Sequence, residues 1–310
     1  MKTLRRSLSV LLCLALLLLL PLPASAAGPI DLGRPCSLTL TYLWDRAPIS
    51  GAAFDLYRAA DVDEYAAYTL TEDFSAYPVR LEGLTTDGWR ALAETLAGYA
   101  LRDGLAPLCS GTTDQSGVLR FRDLTPGLYL VVGHMAADAA MSYTSEPFLL
   151  ALPGSDTASN GWTYDVEAAP KAACEPLPAE PVRRSVLKVW DDGGSSFRPA
   201  SVTVRLLAGD KVYDTVTLRA ENNWRYDWTD LPASDDRGAP IDWRIAEDTV
   251  PGYTASVSRE DTTFILTNQA PSAQPPAKLP QTGLLWWPVP LLAAAGLLCL
   301  LLGRRRARRG

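Results

Sequence analysis

The chain has 310 residues, a formal net charge of -6, a hydrophobic fraction of 47% and a single histidine. An acidic chain of this kind is not suited to a nucleic-acid backbone. One histidine, with cysteines that lack ligand spacing, excludes the usual zinc centres, so neither a metal nor a cofactor is expected.

In chain order, residues 1–26 read as an export signal. Lys2, Arg5 and Arg6 are the basic start, Leu8 to Leu20 the apolar run, and Ala24-Ser25-Ala26 the small residues of a cleavage site. The mature chain then begins near Ala27. Roughly 250 residues separate this signal from a second apolar stretch near the C-terminus, enough for two domains.

Residues 27–171 read as strands interrupted once by a helix. Leu38, Leu40 and Tyr42 alternate with Thr39 and Thr41, the period of a half-buried strand. Strands are expected next at Phe54–Tyr57, Val118–Phe121, Leu128–Val132, Phe148–Leu152 and Trp162–Ala168, divided by turn signals at Asp114–Gly117, Thr125–Gly127 and Pro153–Gly154. Between them, Trp89, Leu92, Ala93, Leu96 and Ala100 recur at helical spacing. Thr86 or Asp87 is the expected cap of that helix, and Gly104 lies just past its end.

Residues 172–182 lack periodicity and are expected to be an interdomain linker. Residues 183–270 form a smaller all-β unit, with strands at Val186–Trp190, Val202–Leu207, Lys211–Leu218, Asn223–Trp228, Trp243–Ala246 and Thr262–Thr267. That density of short strands points to a sandwich. Residues 271–278 are a Pro-rich, semi-rigid stalk. Leu279-Pro280-Gln281-Thr282-Gly283 follows, then an apolar stretch at 284–303, then a basic tail at 304–310. The apolar stretch nearly reaches the roughly 20 residues of a bilayer span, and the arginines behind it favour the cytoplasmic side.

This order of pentapeptide, apolar segment and basic tail resembles the LPxTG cell-wall sorting signal of Gram-positive surface proteins. The resemblance implies a sortase that cuts between Thr282 and Gly283 and joins Thr282 to an amine. The chain would be secreted, held at the membrane only until sorting, and then anchored to the cell wall at the cell surface. Its partners would be the sortase and either peptidoglycan or a neighbouring subunit.

Three polar residues of the second unit sit on apolar strand faces. Lys188 shares a face with Val186 and Trp190, Glu247 with Trp243 and Ile245, and Asn268 with Phe264 and Leu266. Directing them into one core is costly unless they meet. Burial disfavours both charged forms, which makes Lys188 a nucleophile and Glu247 an acid able to polarise the Asn268 amide. Together with Val250-Pro251-Gly252-Tyr253, these runs resemble a Cna protein B-type domain. In that family the corresponding Lys, acid and Asn form an internal isopeptide bond, which would make Glu247 the promoting acid and Lys188 and Asn268 the joined pair.

The first unit resembles the prealbumin-like domains of Spa-type pilins at Gly51-Ala52-Ala53-Phe54-Asp55-Leu56-Tyr57, Gly117-Val118-Leu119-Arg120-Phe121 and Leu124-Thr125-Pro126-Gly127-Leu128-Tyr129. Yet residues 27–170 contain no lysine, Asn160 is their only asparagine, and Gly133 stands where the family places its acid. An internal Lys–Asn bond is therefore excluded there. A disulfide involving Cys36 is one candidate substitute, and Cys36, Cys109 and Cys174 allow at most one bridge and one free thiol. Lys171, after Trp162, Val166 and Pro170, resembles the pilin-motif lysine that accepts the next subunit's threonine. The residues just before Pro170 are Ala168 and Ala169 rather than the usual Val and Tyr.

The expected fold is all-β: two tandem immunoglobulin-like or prealbumin-like β-sandwich domains, the first with an inserted α-helix, flanked by the signal peptide and the C-terminal sorting segment. The expected function is that of a structural surface protein, a pilin subunit. The alternative is a monomeric wall-anchored adhesin whose first domain binds a host or partner ligand. Turnover catalysis is not expected, because His134 would have to serve any Ser-His-Asp triad and no nucleophile elbow surrounds it.

Overall fold

The computed structural model describes residues 28–270, apart from 157, 159, 160, 178–180, 196, 197 and 237. The signal at 1–26, the stalk at 271–278, the pentapeptide at 279–283, the apolar stretch at 284–303 and the tail at 304–310 all lie outside the described residues. The chain is mostly β, with two sandwiches and one α-helix among those residues.

The first sandwich comprises β1 (Cys36–Thr41), β2 (Ala53–Val62), β3 (Tyr68–Leu70), helix α1 (Thr86–Asp103), β4 (Cys109–Thr112), β5 (Val118–Leu124), β6 (Gly127–Gly133), β7 (Met141–Ser145), β8 (Phe148–Leu152), β9 (Asp165–Ala168) and β10 (Ala172–Pro176). One sheet runs β9–β1–β5, with β9 parallel to β1. The facing sheet runs β8–β6–β2–β3, with β4 also on β2, and a smaller third sheet pairs β10 with β7. Period-two alternation sorts the side chains between two cores. Phe54, Leu56, Tyr129 and Val131 meet Leu38, Leu40 and Phe121 inside the sandwich. Tyr57, Ala59, Leu130 and Val132 point the other way, onto α1.

Helix α1 is capped by Thr85, whose hydroxyl accepts from the Gly88 N–H at 3.2 Å, and not by Thr86 or Asp87 as expected. Thr85 is the last extended residue before the helix, so its side chain is the one that reaches the free N–H groups of the first turn. Gly104 ends the helix in the left-handed region at φ 65°, as its position suggested.

The second sandwich comprises β11 (Val182–Asp191), β12 (Ser201–Ala208), β13 (Lys211–Arg219), β14 (Arg225–Leu231), β15 (Trp243–Glu247), β16 (Thr254–Glu260) and β17 (Thr263–Gln269). Its sheets run β14–β11–β17–β16 and β13–β12–β15, with first strand β11 and last strand β17 parallel. Val186, Val204, Leu206, Trp243, Ile245, Phe264 and Leu266 fill the space between them.

Several sequence expectations shift. The expected linker begins as strand: β10 pairs with β7 from Ser145↔Ala172 to Met141↔Pro176, because Ala172 is drawn into the first core. The expected strand Trp162–Ala168 is divided at Tyr164, whose hydroxyl accepts from the Asp31 N–H at 2.7 Å. Asn223 and Trp224 have left-handed φ values of 53° and 56° and belong to the turn before β14. β16 was not expected, since only Ala255 and Val257 of its seven residues are apolar and buried.

The two sandwiches lie within one compact unit. Helix α1 joins them, because the core on its inner side continues into Leu207, Ala246 and Ala255 of the second sandwich. This explains why β6 and β15 are buried at every residue: each has a filled core on one face and the helix layer on the other.

Thr85→Ala is expected to lower the unfolding free energy by about 1 kcal/mol in urea denaturation. Thr86→Ala should leave it nearly unchanged.

Candidate functional site

Lys188 enters the second core from β11, Glu247 from the end of β15 and Asn268 from β17. They are 4%, 1% and 0% exposed. The parallel register sets Lys188 opposite Leu266 and Asn268 opposite Trp190, so the two side chains lie on neighbouring strands one inward step apart. Glu247 reaches across from the facing sheet. Its Oε1 lies 3.4 Å from Lys188 Nζ and accepts from Asn268 Nδ2 at 3.3 Å. Lys188 Nζ also donates to the Leu266 carbonyl at 3.4 Å. The structure thus brings together the three residues that strand alternation pointed inward.

Burial pulls the Lys188 ammonium down to about 8, against the opposing pull of the Glu247 charge. Burial pushes the Glu247 carboxyl up, and Lys188 and Asn268 offset this only in part. Both shifts favour the uncharged pair. Glu247 Oε2 and Asn268 Oδ1 have no hydrogen-bond partner among the described residues. A half-turn of the amide would present Oδ1 to the carboxyl, the orientation in which a protonated Glu247 donates to it. An amine, an amide and an acid in this arrangement can carry out acyl transfer between two side chains.

Aromatic rings wall the site. Lys188 Nζ sits 4.6 Å from the Trp190 ring centre, and Trp224 and Tyr253 pack edge-on against Trp190 at 5.2 and 5.1 Å. Tyr253 also donates its hydroxyl to Asp192 at 3.1 Å, tying the Pro-Gly-Tyr turn to the end of β11. One contact has no sequence signal: Arg102 of α1 donates to the Glu247 backbone carbonyl at 2.6 Å.

The first sandwich repeats the parallel pairing of first and last strands, and its inward-facing pairs, Leu38↔Val166 and Leu40↔Ala168, are apolar. A Cβ at Gly133 would lie 2.9 Å from Phe54 and 3.1 Å from Ser145, so no acid fits there. The Cys36 disulfide considered as a substitute does not form: Cys36, Cys109 and Cys174 are free. They sit opposite Leu124, Leu56 and Tyr143 on strands of three different sheets. Burial raises the Cys36 thiol to about 11, which makes it unreactive. Lys171 is exposed between β9 and β10, at the rim of a groove lined by Trp89, Pro147, Phe148 and Leu150.

His134 is joined to Asp55 at 2.7 Å, and Ser110 donates to the other oxygen of the same carboxylate. The carboxylate lies between serine and imidazole, so the imidazole does not touch the hydroxyl it would have to deprotonate.

Residues 184–269 match the family model of the Cna protein B-type domain. Over 107 residues, 34% of this chain, the sequence is 35% identical to a collagen adhesin of Staphylococcus aureus. That match spans 9% of the relative's length. Among solved structures, the major pilin SpaA of Corynebacterium diphtheriae aligns over 77% of this chain and 64% of its own, at 19% identity and TM-score 0.30. Two B repeats of the Staphylococcus aureus collagen-binding protein align over 76% of this chain and 49% of theirs, at 19% identity and TM-score 0.26. At these TM-scores the likenesses carry no conclusion about the whole chain.

The Asp55–His134 pair makes stability depend on pH. The hydrogen bond that His134 donates to Asp55 outweighs burial and raises the imidazole above its ordinary 6.5. Burial raises the Asp55 carboxyl, but the bonds from His134 and Ser110 prevail and hold it below 3.8. The histidine contribution is therefore complete below pH 6.5 and lost as pH rises through the higher folded value. The aspartate contribution is complete above pH 3.8 and lost as pH falls through the lower one. Thermal melts should show the parent's advantage over His134→Gln fading as pH rises above 6.5.

Proposed function

We propose that this chain is a structural surface protein whose second domain, residues 183–270, closes on itself through a Lys188–Asn268 isopeptide bond promoted by Glu247. The observation that carries the reading is the fully buried meeting of these three side chains. The neutral Lys188 amine attacks Asn268 Cγ while the protonated Glu247 hydrogen-bonds Oδ1. The Nζ–Cγ bond forms and the Cγ–Nδ2 bond breaks. One amine proton passes through the Glu247 carboxyl to the leaving nitrogen, which departs as ammonia. The reaction turns over once. The bond closes a loop of about 80 residues and, treated like a disulfide, contributes roughly 4–5 kcal/mol.

In this reading residues 27–171 are the pilin-like first domain, and a sortase joins Thr282 of the Leu279–Gly283 motif to peptidoglycan or to Lys171 of a neighbouring subunit. The exposure of Lys171 beside an apolar groove supports its use as an acceptor. Tension between Lys171 and Thr282 would then cross the second sandwich through its joined first and last strands. A second reading, a monomeric wall-anchored adhesin whose first domain binds a host ligand, draws on the match to a collagen adhesin.

Intact-mass measurement should find the chain lighter than its sequence by one ammonia. Lys188→Ala, Glu247→Ala and Asn268→Ala should each restore the full mass of the substituted sequence. Full sequence mass in the parent would refute the bond. For assembly, denaturing gels of wall extracts should show a sortase-dependent ladder that Lys171→Ala abolishes, whereas monomer alone would favour the adhesin.

A further inference from the structure

β15 and β16 are neighbouring edge strands at the open side of the second sandwich, one from each sheet. Edges of this kind expose unpaired backbone groups to water unless something covers them. Here the cover belongs to the first sandwich. The Val257 N–H of β16 donates to Thr95 Oγ1 of α1 at 2.8 Å, and the Ala255 N–H donates to the Pro78 carbonyl at 3.1 Å. On β15, Arg102 donates to the Glu247 carbonyl, and the Ile245 carbonyl points at Gly98 so closely that a Cβ there would lie 2.5 Å from it. The glycine lets the helix backbone rest against the strand.

Glu247 therefore has the second core on one side and α1 on the other. Tyr99, 1% exposed, stacks on Tyr77 with ring centres 4.6 Å apart, and the Arg102 guanidinium lies 4.8 Å above its ring. Tyr99 Oη and Glu247 Oε2 are both buried without a hydrogen-bond partner among the described residues. Burial, and after it the Glu247 charge, raises the Tyr99 hydroxyl.

We infer that helix α1 is the lid of the crosslink site, with Arg102 as a positioning residue, so that Lys188 and Asn268 join only in a chain whose first domain has folded and docked. The inference rests on the crosslink reading above. The reaction needs a neutral amine and a protonated acid, and only exclusion of water favours that pair over the ion pair. With α1 displaced, water would reach the edge beside Glu247 and the ion pair would prevail. Each covalent clamp would then record that the first domain folded correctly.

The charged and titratable groups around Glu247 are Lys188 from β11, Arg102 and Tyr99 from α1, and Asp248, which is paired with Arg205 at 2.8 Å. The test follows ammonia loss by mass in newly translated full chain across a range of pH. Arg102→Ala and Gly98→Val should slow crosslinking roughly tenfold, the rate equivalent of one lost hydrogen bond at this site. The plateau of the pH–rate profile should drop. Its limbs should move apart, as the acid titrates lower and the amine higher. Arg102→Lys, which keeps a donor, should recover part of the rate. If Gly98→Val does not fold, the Arg102→Ala and Arg102→Lys pair decides. Folded variants that crosslink at the parental rate with the parental pH profile would overturn the lid while leaving the crosslink intact. A parent chain at full sequence mass would overturn both.

Discussion

An amine and a carboxyl buried in one apolar core are tolerated only when they meet and water is kept out. In the second sandwich that condition is met by the contact of Lys188, Glu247 and Asn268, and much else in the chain is arranged around it. The parallel register of β11 and β17 sets the two ends of the contact side by side. The facing sheet delivers Glu247. Trp190, Trp224 and Tyr253 close the site from within the domain. Helix α1 closes it from outside, and so links a local electrostatic requirement to the docking of a separate sandwich.

The two sandwiches answer the same topological question differently. Both pair their first and last strands in parallel, the place where one bond between strands would lock the domain end to end. In the second, that seam carries a lysine and an asparagine. In the first, it carries Leu38, Leu40, Val166 and Ala168, and the acid's position is a glycine pressed against Phe54. The first sandwich thus carries no lysine–asparagine pair at this seam, which closes on apolar packing between these four side chains. Its free cysteines, dispersed over three sheets, do not change this.

That difference fits the proposed path of force. With Lys171 and Thr282 as the proposed attachment points, a domain lying between them would bear tension and gain from a covalent clamp. A domain ahead of Lys171 would not, and would be free to serve through its surface. In that proposal helix α1 reconciles the two roles by letting the first domain seal the site of the proposed clamp in the second.

That Lys188, Glu247 and Asn268 point into one core was legible in the sequence, because strand alternation is local: each shares a face with apolar neighbours two residues away. The absence of lysine in residues 27–170 likewise excluded a second Lys–Asn clamp without any coordinates. Helix α1 was legible too, from its periodicity and Gly104, although Thr85 and not its neighbour caps it. β10 and β16 were not, because their few apolar residues form no pattern until β7 and α1 lie against them. What only the tertiary structure decided is the docking of α1. The Arg102–Glu247 bond joins residues 145 positions apart, and Thr95 meets Val257 across 162. Each depends on the approach of one whole sandwich to another, and contacts of that kind leave no periodic trace in the chain.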